Sequence, residues 1–280
     1  MSITTRLDRQ KSVREMPLTR LTSILNALVR DVRWSFAFGA DVGSRLRLSM
    51  DFVLSRFIGL MPKAQRKRMR EVRLRDGAQI RYRLNKGDLH SIREIWFEDD
   101  YRLPFANSSG VLLDLGANIG MASVWLVKKY SFHRVIAVEP DPTNAALVRD
   151  NFELNGINGQ VLEAAVGPTE GTARFEFSDC SNLGRLSENG SPVQVISVDT
   201  ILKKFAVKRF ALIKIDIEGA EKDLFDGPTE WLAQTDAMIM ELHSVVDCSR
   251  LTKVVSSQGF RYIPAHSFVP DNLTCFTRTQ

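Results

Sequence analysis

The sequence predicts an α/β fold: a doubly wound, mostly parallel sheet with a basic helical and hairpin appendage at its N-terminal end. Three observations predict it. From Gly110 onward short apolar runs alternate with helical periodicity, the pattern of a sheet whose crossovers are helices. The run Val111-Leu-Leu-Asp-Leu115 ends in the small-residue turn Gly116-Ala-Asn-Ile-Gly120, and the helical pattern Met121 to Lys129 follows directly. Charge reverses along the chain: residues 1–90 hold 20 Lys/Arg against 8 Asp/Glu, and residues 91–280 hold 18 against 25.

In the basic end, Leu46, Met50, Val53, Leu54, Phe57 and Met61 recur at helical spacing and run into Lys63-Ala-Gln-Arg-Lys-Arg-Met-Arg70. Such a helix either docks on the main domain with its basic tail in water or lies on anionic lipid. Residues 1–70 are expected to form a basic, mainly helical region, and residues 71–280 the α/β domain, with its core motifs in 110–243. Val72 to Leu84 alternates with period two around Asp76-Gly77 and reads as a hairpin. A loop through Ala78 pairs Leu74 with Ile80 and Val72 with Tyr82. Arg73, Arg75, Arg81 and Arg83 then share the other face, either to meet phosphates or an acidic sugar or as a solvated edge.

The expected core strands are Val111 to Leu115, Val135 to Glu139, Val161 to Ala165, Leu212 to Ile217 and Ala237 to Leu242. A short extra hairpin, Thr172 to Phe177 with Val193 to Val198, encloses the polar loop Ser178 to Pro192, where acceptor recognition is expected. The helix Cys248 to Ser257 and the strands Phe260 to Pro264 and Leu273 to Thr277 complete the fold.

With 44% hydrophobic and 25% charged residues, 17 Gly and 10 Pro in 280 residues, the composition excludes disordered, collagen-like and coiled-coil classes. Cys180, Cys248 and Cys275 form no CxxC pair, so neither a zinc site nor a disulfide framework is expected, and the cytoplasm is the default compartment. Charged residues interrupt every apolar stretch near the start, which argues against a secretory signal. Met50 to Met61 carries Asp51 and Arg56 and is too short to span a bilayer.

The turn after the first strand is the strongest local signal. Gly116 and Gly120 have no Cβ to obstruct a ligand, and Asn118 tolerates φ > 0. Their spacing is not the dinucleotide GxGxxG. Glu139 ends the second strand 19 residues beyond Gly120, where α/β nucleotide sites hold the acid that accepts from ribose hydroxyls.

With Asp114 the turn reads D-x-G-x-N-x-G, and it resembles the first motif of class I S-adenosylmethionine-dependent methyltransferases, as Val138-Glu-Pro-Asp141 resembles the second. Together with Ile213-Lys-Ile-Asp-Ile-Glu-Gly-Ala-Glu221 and Met240-Glu-Leu-His243, these blocks resemble the FkbM family over about residues 90 to 245. The resemblance implies a Rossmann-like class I methyltransferase fold. It also implies S-adenosylmethionine as cofactor and O-methylation of a hydroxyl on a saccharide, glycan or related small molecule, such as a polysaccharide precursor. The cofactor-binding residues expected are Asp114, Gly116, Ala117, Asn118, Gly120, Glu139, Pro140, Ala165 and Asp216, with Val166 and Gly167 beside the adenine edge.

A sugar hydroxyl needs a base or a metal to become nucleophilic. Asp216, Glu218, Glu221, Glu241 and His243 stand at the ends of the fourth and fifth core strands, with His90 and His133 elsewhere. His243 is the expected base on its ordinary pKa, with Asp216 and Glu241 beside it as catalytic residues. The Asp216 and Glu241 pair would suit Mg²⁺, but no residue is assigned to a metal. Lys214 is expected to pair with Asp216 or Glu241, because an interior lysine is rarely unpaired. Asp88 to Tyr101 resembles the segment that precedes the first motif in this family, and the resemblance implies a lid helix over the crevice, with Tyr101 toward the ligand and Ile92, Ile95 and Trp96 packing.

The partner expected is a small-molecule or glycan acceptor, not a nucleic acid, with peripheral membrane contact through residues 1–90 as the one macromolecular association the charge would support. Two rival classes share parts of the pattern. One is an NAD-dependent oxidoreductase, and the other is a non-catalytic binding protein on a methyltransferase fold.

Overall fold

The computed structural model describes residues 18–104, 109–176, 185–186, 189–243, 248–263 and 273–279. The first described elements are α1 (Leu18–Phe38) and α2 (Val42–Ser55), which pack on each other. Asp41 caps α2 by accepting from Ser44 N at 2.8 Å. A 3₁₀ turn (Ile58–Leu60) and the short α3 (Lys63–Arg66) lead to the hairpin β1 (Met69–Arg73) and β2 (Gln79–Arg83). Asp31 ties α1 down, because its buried carboxylate receives both Arg56 and Arg93, the latter at 3.1 Å.

The helical stripe expected in this region meets the core only in part, through Leu54 and Met61. Leu48 and Phe52 are the buried face of α2, whereas Leu46, Met50 and Phe57 are exposed. The hairpin register also differs: Val72 pairs with Ile80 and Arg73 with Gln79, so the loop is Arg75–Gly77 and Leu74 N bonds Ala78 O at 2.8 Å. A shift of two residues keeps each side chain on its face, and Val72, Leu74, Ile80 and Tyr82 are all buried. The arginine face is divided. Arg73 and Arg75 remain exposed, while Arg81 meets Asp150 at 3.0 Å and Arg83 meets Asp88 at 3.1 Å.

After the hairpin come α4 (Lys86–Ile92), capped by Asn85, and a π turn (Arg93–Phe97). The main sheet then begins: β3 (Ser109–Leu115), α5 (Met121–Lys129), β4 (Ser131–Val138), α6 (Pro142–Leu154) and β5 (Gly159–Leu162). A second sheet interrupts it, formed by β6 (Ala165–Val166), β7 (Gly171–Glu176), β8 (Arg185–Leu186) and β9 (Ser191–Ile196) in the order β6-β9-β7-β8. The expected run Val161 to Ala165 is therefore cut after Leu162, and Ala165 pairs with Val195 in the second sheet. Most of the loop Ser178 to Pro192 lies outside the described residues.

Helix α7 (Val198–Lys204) returns the chain to β10 (Leu212–Ile215), α8 (Glu221–Asp226) and β11 (Ala237–Glu241), followed by α9 (Cys248–Ser257), β12 (Phe260–Ile263) and β13 (Leu273–Arg278). The seven strands lie in the order β12-β13-β11-β10-β3-β4-β5, with β13 antiparallel to both neighbours and the other six running in one direction. This is the doubly wound α/β fold expected. Order reverses beside β3, between β4 and β10, and the carboxyl ends at such a reversal form the crevice of an open α/β sheet.

Each face of the sheet carries its own core. Leu112, Val135, Ala137 and Ile239 pack on one side with α5, α6, the hairpin residues Val72 to Leu84 and Leu48 and Phe52 of α2. Leu113, Ile136, Ile213 and Met238 pack on the other with α7, α8 and α9.

Candidate functional site

The β3–α5 turn takes the conformation its small residues permit. Gly116, Asn118 and Gly120 all have positive φ, at 75°, 51° and 80°. A Cβ on Gly116 would stand 1.7 Å from the carbonyl oxygen of Asp216, so the glycine lets the ends of β3 and β10 converge. Asn118 Oδ1 is buried without a hydrogen-bond partner among the described residues, while the Asn118 backbone N–H donates to Glu139 Oε2 at 2.8 Å.

Glu139 serves this turn from behind. Its other oxygen accepts from Asp141 N at 2.9 Å, and burial pushes its carboxyl to about 8. Asp114 is fully buried and accepts from Ser123 Oγ at 2.7 Å. It orients the turn and lies outside the lining of the cleft.

Lys214, on β10, joins the two strand ends. Its ammonium donates to Gly116 O at 2.6 Å and stands 3.2 Å from Asp114 and 3.3 Å from Asp216. Burial works against the charge, but the two carboxylates outweigh it and hold Lys214 above the usual lysine range. The pairing with Asp216 is as expected, and Asp114 is its second partner.

A cleft with about 540 Å³ of space between atoms, part of it open to solvent, lies over these ends. Ala117, Asn118, Lys214, Asp216, Glu218 and Glu241 line its floor, and Ser91, Glu94, Ile95 and Tyr101 line the opposite side. The segment Asp88 to Tyr101 thus covers the crevice, though as a short helix and a π turn. Trp96 instead packs away, donating Nε1–H to Asp76 at 2.8 Å.

Acidic groups crowd this cleft. Burial first, then the neighbouring carboxylates Glu241, Asp100 and Asp216, push Glu94 to about 8. Burial and Glu98 push Asp100 to about 7, and burial with Asp216 pushes Glu218 to about 7. A cation entering here relieves that repulsion. A sulfonium cofactor with an amino group fits this lining, and the orphaned Asn118 Oδ1 fits a donor on the same ligand.

His243 follows β11 and meets three carboxylates. Nδ1 lies 3.0 Å from Glu221 Oε1, and Nε2 lies 3.4 Å from Glu218 and 4.0 Å from Asp216. The Glu221 hydrogen bond, against burial, pushes the imidazole to about 9. The expectation was a base at its ordinary pKa, and the Glu221 contact instead favours the charged imidazolium. Ligand atoms of Asp216, Glu218 and His243 lie within 4.8 Å of one another.

Of the expected cofactor residues, Ala117, Asn118 and Asp216 line the cleft, and Asp114, Gly116, Gly120 and Glu139 shape the turn beneath it. Ala165 and Val166 are buried in the second sheet, and Pro140 precedes Asp141, the cap of α6. None of these three belongs to the lining of the cleft. Of the expected catalytic residues, Asp216 and Glu241 line the cleft and His243 stands beside Asp216. His90 pairs with Glu94 at 3.3 Å, and His133 is exposed. Glu94, Asp100 and Ser91 were not foreseen, and their only sequence signal is the acid content of Asp88 to Tyr101.

The profile of the Methyltransferase FkbM domain matches residues 114–262. The hexuronic acid methyltransferase AglP of Haloferax volcanii is 28% identical over 180 residues, covering 60% of this chain and 74% of that protein. Methyltransferase 1 of Beauveria bassiana is 25% identical over 197 residues, covering 60% and 79%. Among solved structures, Methyltransferase FkbM of Methylobacillus flagellatus aligns with a TM-score of 0.46 at 17% identity, covering 91% of this chain. The chain spans 60% of the length of that structure. No described helix is long and apolar enough to cross a membrane.

Proposed function

Because the chain belongs to the FkbM family of methyltransferases, we propose that it moves a methyl group from S-adenosylmethionine to a hydroxyl oxygen of a saccharide, glycan or related small molecule. The observation that carries this reading is the acid-lined cleft at the carboxyl ends of β3, β10 and β11, whose excess negative charge suits a cationic cofactor. The relative that acts on a hexuronic acid supports a saccharide acceptor. The cysteine pattern supports the cytoplasm, and peripheral contact with its membrane face would run through residues 1–90.

When bound, the cofactor supplies an electrophilic methyl on a cationic sulfur. Asn118 and Asp216 would hold it, with Glu139 and Asp114 acting through the backbone they fix. Glu94, Tyr101 and Ile95 exclude water from the opposite side, which strengthens every charge interaction inside. His243, held by Glu221, takes the hydroxyl proton at Nε2 in its neutral form, and Glu218 at 3.4 Å exchanges that proton onward.

Two measurements test this. Titration calorimetry should show S-adenosylmethionine binding to the folded protein, and no heat would reject the reading, whereas binding of reduced nicotinamide would favour an oxidoreductase. With labelled cofactor, a glycan extract should gain label and the mass of one CH₂. Binding without transfer to any extract would favour a non-catalytic protein.

A further inference from the structure

The N-terminal helices leave apolar side chains in water that neither core uses. On α2, Val42, Leu46 and Met50 are spaced four apart, opposite the buried Leu48 and Phe52, and all three are more than half exposed. The exposed series continues along the chain with Phe57 and with Leu60, which is 86% exposed. Helix α1 exposes Leu25, Val29 and Phe36 at helical spacing.

A basic cleft with about 570 Å³ of space between atoms, part of it open to solvent, is lined by Arg47, next in the chain to Leu46, and by Arg68, Met69, Arg70, Glu71 and Arg81. Its one acid is already matched, since Glu71 meets Arg81 at 3.1 Å. Arg70 lies 3.5 Å from the buried Asp51. Arg47 donates one N–H to Glu71 O at 2.6 Å, leaving the rest of its guanidinium available, and Arg68 is exposed with no ion pair among the described residues. Residues 42–83 hold twelve Lys/Arg against three Asp/Glu.

We infer that this face docks on an anionic lipid bilayer, with Val42, Leu46 and Met50 entering the interface and Arg47 and Arg68 receiving lipid phosphate. Charge selects the occupant. A second copy would set one basic face against another, and a nucleic acid would gain nothing from a stripe of aliphatic side chains. A bilayer uses both, and neither a shallow apolar insertion nor a basic patch alone holds a protein there firmly. Each arginine near an anionic surface changes partitioning about fivefold. The surface lies apart from the acidic cleft, so it stands or falls independently of methyl transfer.

The full chain is sedimented with phosphatidylcholine vesicles, with and without 30 mol% phosphatidylglycerol as an order-of-magnitude anionic content. Binding at least tenfold stronger to the anionic vesicles, weakening with salt, is expected. Leu46→Asp with Met50→Asp should remove most of it, and Arg47→Gln with Arg68→Gln should lower it on the order of twentyfold. Unchanged thermal melts confirm that these surface variants fold.

Equal binding to neutral and anionic vesicles, or full binding by the Leu46→Asp and Met50→Asp variant, would overturn the inference. So would calorimetric binding of inorganic phosphate or polyuridylic acid by a chain that ignores the anionic vesicles.

Discussion

Glu221 Oε1 lies 3.0 Å from His243 Nδ1, and Glu221 is itself fully buried, so this carboxylate both orients the imidazole and fixes its proton. A carboxylate can only accept, which makes Nδ1 the donor and turns Nε2 toward Glu218 and Asp216. Glu221→Gln should move the His243 NMR titration from about 9 back toward 6.5. An unmoved titration would mean that Glu218 and Asp216 hold the proton without Glu221. If His243 is the base, turnover of the unchanged enzyme rises with pH toward 9, and His243→Ala lowers it by roughly 10² to 10⁴ with cofactor affinity kept.

The same groups set the stability of the ligand-free protein against pH. His243 is raised in the folded state, so its contribution is complete below 6.5 and is lost as pH rises through about 9. Glu94 and Glu139 are raised carboxyls, from 4.5 to about 8. The folded state holds their protons longer than the unfolded chain does, and stability declines across that interval. Both effects have one sign. The melting temperature should therefore be highest in mild acid and fall steadily from about pH 5 to 9, the reverse of a protein held by ionised carboxylates. Saturating S-adenosylmethionine should flatten the curve in part, because its positive charge offsets the carboxylate repulsion that adds to burial at Glu94. A melting temperature that climbs with pH over this window would show that the cleft carboxyls are solvated.

Lys214 makes the sharpest single-residue forecast for the fold. Replacing it by Met keeps the volume but leaves Asp114 and Asp216 facing each other with Gly116 O unpaired. Removing one partner from such a buried cluster costs about 3 to 5 kcal/mol. Calorimetry should show the melting temperature falling by about 10 °C, and cofactor affinity should fall with it. A loss under about 1 kcal/mol would mean that the cluster rearranges around the missing ammonium at little cost.

How much of this was legible in the sequence depends on the range of the interaction. Strands β3, β4, β10 and β11 were visible because a parallel strand buried on both faces is a near-continuous apolar run. The β3–α5 turn was visible because Gly116 and Asn118 announce positive φ. The α2 face was misread because its apolar residues nearly encircle the helix, and composition cannot say which arc meets Phe97, 5.6 Å from Phe52. The hairpin register slipped because a two-residue shift preserves every facing. Glu94 and Asp100 escaped notice because their meaning lies in Glu241, more than a hundred residues away, and local pattern carries no such distance.

Helix α6 completes the hairpin in a way that links it to the cofactor turn. Strand β2 has one free edge, and two asparagines occupy it as a neighbouring strand would. Asn155 accepts from Gln79 N at 2.9 Å and donates to Gln79 O at 2.7 Å. Asn151 accepts from Arg81 N at 2.7 Å and donates to Arg81 O at 3.0 Å. Asn151 also donates to Ile119 O at 2.8 Å, inside the β3–α5 turn. Asn155→Ala leaves half-buried backbone groups of Gln79 unpaired and should cost about 1 to 2 kcal/mol in urea unfolding, and Asn151→Ala, which also strips the buried Ile119 O, about 2 to 3 kcal/mol. The double variant should cost less than the sum, because both act on one strand. Only Asn151→Ala should also weaken S-adenosylmethionine binding, since only Asn151 grips the turn. Equal effects of the two variants on cofactor affinity would mean that the hairpin edge, and not the Ile119 carbonyl, transmits the change.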